Sequence, residues 1–198
     1  MDLKIKNNIR EFQRGLNDVA RRQIPFALSL AINEVLNDIR KNWEKRLRRI
    51  LDRPTSFTMK AFAVRRATKR SLTGMVFAKP IQAEYLTRLE DGGNRAPKRR
   101  AILVPVGQRL NKYGNMPRGA VGRTLNKPAV FSGKPKGGRR AGIWQRDRKG
   151  ASLKLLVHYA DRASYSPRLK LVVSAAKTAT ARLPGAMLRA MRRAVGPG

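Results

Sequence analysis

Between residues 28 and 50 the chain places an apolar side chain at nearly every third or fourth position: Leu28, Ile32, Val35, Ile39, Trp43, Leu47 and Ile50. That spacing makes one continuous stripe along a helix of about six turns. Arg40, Lys41, Lys45, Arg46, Arg48 and Arg49 crowd the remaining positions, so the helix is amphipathic with a basic outer side. Upstream, Leu3, Ile5, Ile9, Phe12, Leu16 and Val19 recur at similar intervals, which predicts helix from residue 3 to about 50. Pro25 lacks a backbone donor and its ring clashes with the preceding turn, so a break or kink is expected near residues 22–25.

Arg53-Pro54 stops this segment, because a residue before proline is steered away from helical dihedrals. Residues 57–91 read as strands and a short helix. Phe62 and Val64 mark one strand, Met75, Val76 and Phe77 another, with a turn at residues 71–74. Residues 81–89 carry Tyr85, Leu86 and Leu89 at helical spacing, and Gly92-Gly93 ends that helix. Residues 152–195 supply an alternating strand (Leu153, Leu155, Val157, Tyr159) and a C-terminal helix in which Pro184 predicts a kink or a fresh start.

Residues 92–146 stand apart. They contain no acidic residue, many lysines and arginines, and frequent glycine and proline, with only short apolar pieces. Such a stretch is expected to leave the domain as a long, partly extended basic excursion that orders against partners. The expected fold class is therefore α+β. Long N-terminal helices and a C-terminal helix pack on a small, mostly antiparallel sheet, as a single domain over residues 1–198 with a long basic extended insertion.

Charge limits the partners. The 198 residues carry 45 Lys and Arg against 12 Asp and Glu, a formal +33. A body this positive repels itself and attracts polyanions, of which nucleic acid is the commonest. An anionic membrane surface is the rival, and acidic neighbouring subunits are a third source of neutralisation. No stretch approaches the ~20 apolar residues of a membrane span, and the N-terminus lacks the apolar run of a secretory signal. Absence of cysteine removes disulfides and thiolate metal sites.

Catalytic groupings are scarce. His158 is the one histidine, and it sits on an alternating strand where packing or surface exposure is the ordinary role. Glu90 and Asp91 are adjacent but lack the partners a metal or glycosidase site needs; an ion pair with Arg88 or Arg95 is the simpler expectation. Residues 133–138 resemble a phosphate loop only superficially, without the terminal Gly-Lys-Ser/Thr. No enzyme activity, cofactor or metal is expected. A metal-dependent nuclease is the weakest of the functions considered. The basic runs carry the signal: Arg65, Arg66, Lys69 and Arg70 in the first hairpin, then Lys98, Arg99, Arg100, Arg139 and Arg140. Such side chains contact phosphates without reading sequence. Aromatic residues are only 6%, and none interleaves with these charges as a stacking platform. The alternative is that the charges are solvated or paired with acidic subunits.

Five short stretches, taken in order, resemble the minor tail protein Z family of lambdoid phages and prophages. They are residues 24–33 (Ile-Pro-Phe-Ala-Leu-Ser-Leu-Ala-Ile-Asn), residues 52–58 (Asp-Arg-Pro-Thr-Ser-Phe-Thr), Tyr85-Leu86 followed by Glu90-Asp91-Gly92-Gly93, residues 142–146 (Gly-Ile-Trp-Gln-Arg), and Arg182-Leu183-Pro184 leading to Met187-Leu188. The resemblance implies a structural tail-completion protein at the head-proximal end of a phage tail, α+β in fold. It implies a homo-oligomeric ring, most simply six-fold, around the DNA channel. The implied partners are tail terminator, tail tube or head–tail connector proteins, the tape-measure protein, and genomic DNA in the lumen, with no membrane. The place implied is the tail or neck of the virion, and the host cytoplasm during assembly. Phe131 and Trp144 are expected to anchor the extended arm, with ordinary core as the alternative for Trp144. A stand-alone, sequence-independent nucleic-acid-binding protein is the alternative function.

Overall fold

The computed structural model describes residues 3–5, 18–137, 140–147, 149 and 152–195. The chain divides into two compact units, residues 1–90 with 167–198, and residues 91–166.

The first unit is organised by helix α1, Asp18–Ile50. The expected stripe is its buried face: Ile32, Val35, Leu36, Ile39 and Leu47 are fully inaccessible and Trp43 nearly so. Helix α5, Leu171–Val195, lies antiparallel to α1, as the pairs Asn42–Thr178, Asp38–Arg182 and Glu34–Arg189 require. The Trp43 indole N–H donates to the Leu171 carbonyl at 3.0 Å, and its ring meets Phe62 edge-on at 5.0 Å.

A three-stranded antiparallel sheet also packs on α1. It has the order β1 (Leu3–Ile5), β3 (Gly74–Ala78), β2 (Phe62–Arg65). Short helix α2 (Ser56–Met59) leads into it, capped by the Thr55 hydroxyl accepting from the Thr58 N–H. Helix α3 (Pro80–Asp91) follows it and buries Leu86 in the same core. The Asn33 side chain bridges α1 to the chain after β2. It donates to the Ala67 carbonyl and accepts from the Ala67 N–H, both at 2.9 Å. The Glu90 carboxylate accepts from the Leu171 N–H at 2.7 Å and the Val172 N–H at 3.3 Å. Its oxygens thus satisfy backbone donors left open in the first turn of α5 and place negative charge at the helix's positive end.

One helical expectation is corrected and a second, the break or kink near Pro25, is narrowed; the expected helical positions Ile9, Phe12 and Leu16 lie outside the described residues. Residues 3–5 form a strand, paired Leu3 to Val76 and Ile5 to Gly74. Their apolar spacing serves equally well for alternation along a strand, and β3 offers a free edge. Pro25 does not break α1, which runs through it. A proline inside a helix costs about 3 kcal/mol. Burial of Ile24, Ala27, Leu28 and Ala31 along the same face outweighs that. Pro184 likewise lies inside an unbroken α5.

The second unit corrects the expected extended insertion. Strands β4 (Gly93–Arg95) and β9 (Ala163–Tyr165) close its ends as an antiparallel pair. Between them lies a four-stranded antiparallel sheet in the order β5 (Ile102–Pro105), β8 (Leu153–Ala160), β7 (Gly142–Arg146), β6 (Val130–Gly133), with helix α4 (Ala120–Leu125) before β6. Its apolar centre is small: Ile143, Leu156 and Val157, flanked by Met116, Val121, Val130 and Tyr159. A bulge in β8 lets the consecutive residues Leu156 and Val157 both be buried. The extra Leu156 carbonyl accepts from the Val106 and Gly107 N–H groups. Gly142 permits this approach of strands, since a Cβ there would lie 2.3 Å from the Val157 carbonyl oxygen.

Asn33→Ala leaves the Ala67 donor and acceptor unpaired, so it should cost about 1–3 kcal/mol in urea unfolding. Glu90→Ala uncaps α5 and should cost about 0.5–2 kcal/mol by the same measurement.

Candidate nucleic-acid interface

The basic runs that stand out in the sequence fall on both units. Arg65 ends β2, and Arg66, Lys69 and Arg70 lie in the turn beyond it, closed by a bridge between Thr68 and Ser71; all four are exposed. Lys98, Arg99 and Arg100 lie between β4 and β5, and Arg140 just before β7, again exposed. Arg139 lies outside the described residues. The first group belongs to the first unit, and Lys98, Arg99, Arg100 and Arg140 belong to the second.

The anchor residues have different surroundings. Trp144 is 7% exposed, and its indole N–H donates to the Arg140 carbonyl at 3.2 Å within its own unit. Ordinary interior packing, the alternative for this residue, matches its burial. Phe131 is half-buried opposite Trp144 in the β6–β7 register, with the Arg146 guanidinium 5.1 Å from its ring centre.

The structure also assembles cations that the sequence scatters. Along the seam between α1 and α5 runs a groove in two joined parts, of about 390 and 280 Å³, which share Asn42 and Lys45. Lys41, Lys45 and Arg49 follow one another at intervals of four on α1, about 6 Å apart along the axis. Arg46 lines the same groove, and α5 contributes Lys177 and Arg182. The walls are fixed by polar contacts across the seam. Asn42 Nδ2 donates to Thr178 Oγ1 at 3.0 Å, and Thr178 in turn donates to the Ser174 carbonyl at 2.9 Å. The Arg46 guanidinium donates to the Leu169 carbonyl. Among the described residues one carboxylate lines the groove: Asp38, whose Oδ2 accepts from Arg182 Nε at 3.2 Å.

Such a groove suits a phosphate chain. Its cations are mostly exposed, so they retain hydration and meet an anion without a large desolvation cost. The sequence signal is the four-residue interval of Lys41, Lys45 and Arg49, legible as a basic outer side. Their partners Lys177 and Arg182 lie far along the chain, and only the helix pairing brings them in. Among the described residues there is no cluster of three His, Cys, Asp or Glu able to hold a metal, and no helix is long and apolar enough to cross a membrane.

No protein-family model matches the sequence, and no curated protein or solved structure matches the chain.

The Asp38–Arg182 pair is largely open to water on the arginine side, so Asp38→Asn should change stability by no more than about 1 kcal/mol. Because it removes the groove's only acid and frees Arg182, the same variant should bind duplex DNA more tightly, measured by fluorescence anisotropy at fixed salt.

Proposed function

We propose that this chain is a non-enzymatic structural protein that contacts nucleic acid through its phosphates inside a larger assembly, and that the assembly is the neck of a tailed phage or prophage. In this reading it is a tail-completion subunit. It forms a homo-oligomeric ring, most simply six-fold, at the head-proximal end of the tail. There it joins tail terminator, tail tube or connector proteins, and DNA passes through the lumen beside or after the tape-measure protein.

The observation that carries the nucleic-acid part is the seam groove, with six cations against one carboxylate on a scaffold of two packed helices. Sequence independence follows from the side chains on offer. Lysine and arginine on phosphates position a strand without reading bases. Both tryptophans are buried, so neither is available as a base-stacking platform. The phage part rests on the ordered resemblance in the sequence. Exposed, hydrated contacts of this kind release and re-form readily, which suits DNA that must be held and then slide.

The purified chain should bind two unrelated duplexes equally, with an association constant that falls steeply as salt rises. Replacing Lys41, Lys45 and Arg49 by Gln should lower the magnitude of the log–log slope by about 0.9 for each phosphate that is no longer neutralised. A salt-independent affinity, or a strong preference for one duplex, would overturn the phosphate reading. Electron microscopy of intact particles should place the chain between head connector and tail tube. Duplex binding that persists with no such density would favour the stand-alone nucleic-acid-binding protein instead.

A further inference from the structure

We infer that the second unit carries its own phosphate site, a basic cup between the turn at residues 108–112 and α4, which takes phosphodiester groups of a nucleic-acid strand. The ligand's identity rests on the reading above; the cup itself rests on geometry in a unit that holds none of the seam groove.

The cup encloses about 660 Å³. Arg109 and Lys112 approach from the turn, and Arg123 and Lys127 from α4 and the residues just after it; all four are exposed. Among the described residues no carboxylate lines it. None is near in sequence either, because residues 92–146 contain no Asp or Glu. Four like charges around one concavity repel one another, and the favourable way to offset that repulsion is a bound anion.

Three features hold the cup's shape. The Asn111 side-chain oxygen accepts from the Tyr113 N–H at 2.9 Å and the Asn115 N–H at 3.0 Å, while the Asn111 N–H donates to the Asn115 carbonyl. The turn bearing Lys112 is thereby closed on itself. Thr124, 4% exposed, donates its hydroxyl to the Gln108 side-chain oxygen at 3.2 Å, tying α4 to the turn. Gly119 has φ +73, and a Cβ built there would stand 3.0 Å from Arg123 Nη1. The missing side chain leaves room for the Arg123 guanidinium at the rim. Nothing in the sequence marks these four cations as a group, because they are spread over 19 positions, whereas Lys98-Arg99-Arg100 stand together.

The test uses the full chain and one duplex of fixed length, titrated across a salt series. A variant with Arg109, Lys112, Arg123 and Lys127 all changed to Gln should lower the slope's magnitude by about 2–4, at about 0.9 per neutralised phosphate. That decrease should add to the one produced by the Lys41, Lys45 and Arg49 variant. Circular dichroism of each variant reports whether the fold is kept. A quadruple variant that folds and retains the parent slope overturns the cup, while a slope that falls only there overturns the seam groove and leaves the cup standing. Inorganic phosphate is the second probe. If it saturates the cup while the quadruple variant leaves duplex binding untouched, the cup is a small-anion site, and the nucleic-acid assignment fails.

Discussion

The antiparallel packing of α1 on α5 is the contact on which the first unit depends. Buried residues of α1 from Ala27 to Leu47 share one core with Leu171, Ala175, Ala186 and Ala190 of α5. The same two helices carry much of the unit's positive charge on their outer faces. Burial and charge are linked through helical period: positions four apart share a face, so Ile39, Trp43 and Leu47 are core, Asp38, Asn42 and Arg46 just before them are at the seam, and Lys41, Lys45 and Arg49 two positions beyond them meet water. Glu34, Asp38, Asn42 and Arg46 step along α1 at intervals of four, and each reaches a partner on α5 or just before it. That row fixes the axial register of the helices. Once the register is set, Lys177 and Arg182 can stand only across from Lys41 and Lys45.

Much of this is legible in the sequence where a pattern repeats locally. The stripe of α1 is readable because seven positions over about six turns leave little room for another period. The α+β class, the hairpin of β2 and β3, helix α3 and the C-terminal helix follow from similar short-range signals. The misreadings have long-range causes. Leu3 and Ile5 fit either period, and only the edge of β3, far along the chain, decides for a strand. Pro25 is a strong local breaker, yet burial against a helix at the far end of the chain overrides it. The acid-free stretch looks unable to fold because its central strand, β8, lies outside it at residues 153–160 and reads with the C-terminal part. With Leu156 and Val157 restored, the stretch has a core, though a small one.

The candidate sites show the same division. Runs of adjacent cations stand out in a sequence, but adjacency on a strand or turn sends neighbouring side chains in different directions. The runs at 65–70 and 98–100 are accordingly exposed and spread out. Concavities lined by cations arise instead where separate elements meet, as at Lys45 with Lys177, or Arg109 with Arg123.

Charge balance within each unit bears on what these grooves are for. Residues 91–166 hold 18 Lys and Arg against 3 acids, and the remainder of the chain holds 27 against 9. Neither unit can neutralise the other, because both are strongly positive. Intramolecular ion pairs cannot do so either: even if every carboxylate took one cation, 33 would remain. At physiological salt, screening acts over about 8 Å, so the repulsion is felt mainly among close neighbours, which is the situation inside a groove or cup. A fold that gathers cations at such places raises its own local repulsion and lowers it again only when an anion arrives. The walls are built mainly from helix pairing and closed turns, with Arg46 and Arg182 also tying the seam. In the proposed reading, the affinity of these concavities for nucleic acid is set by counterion release rather than by folding on binding.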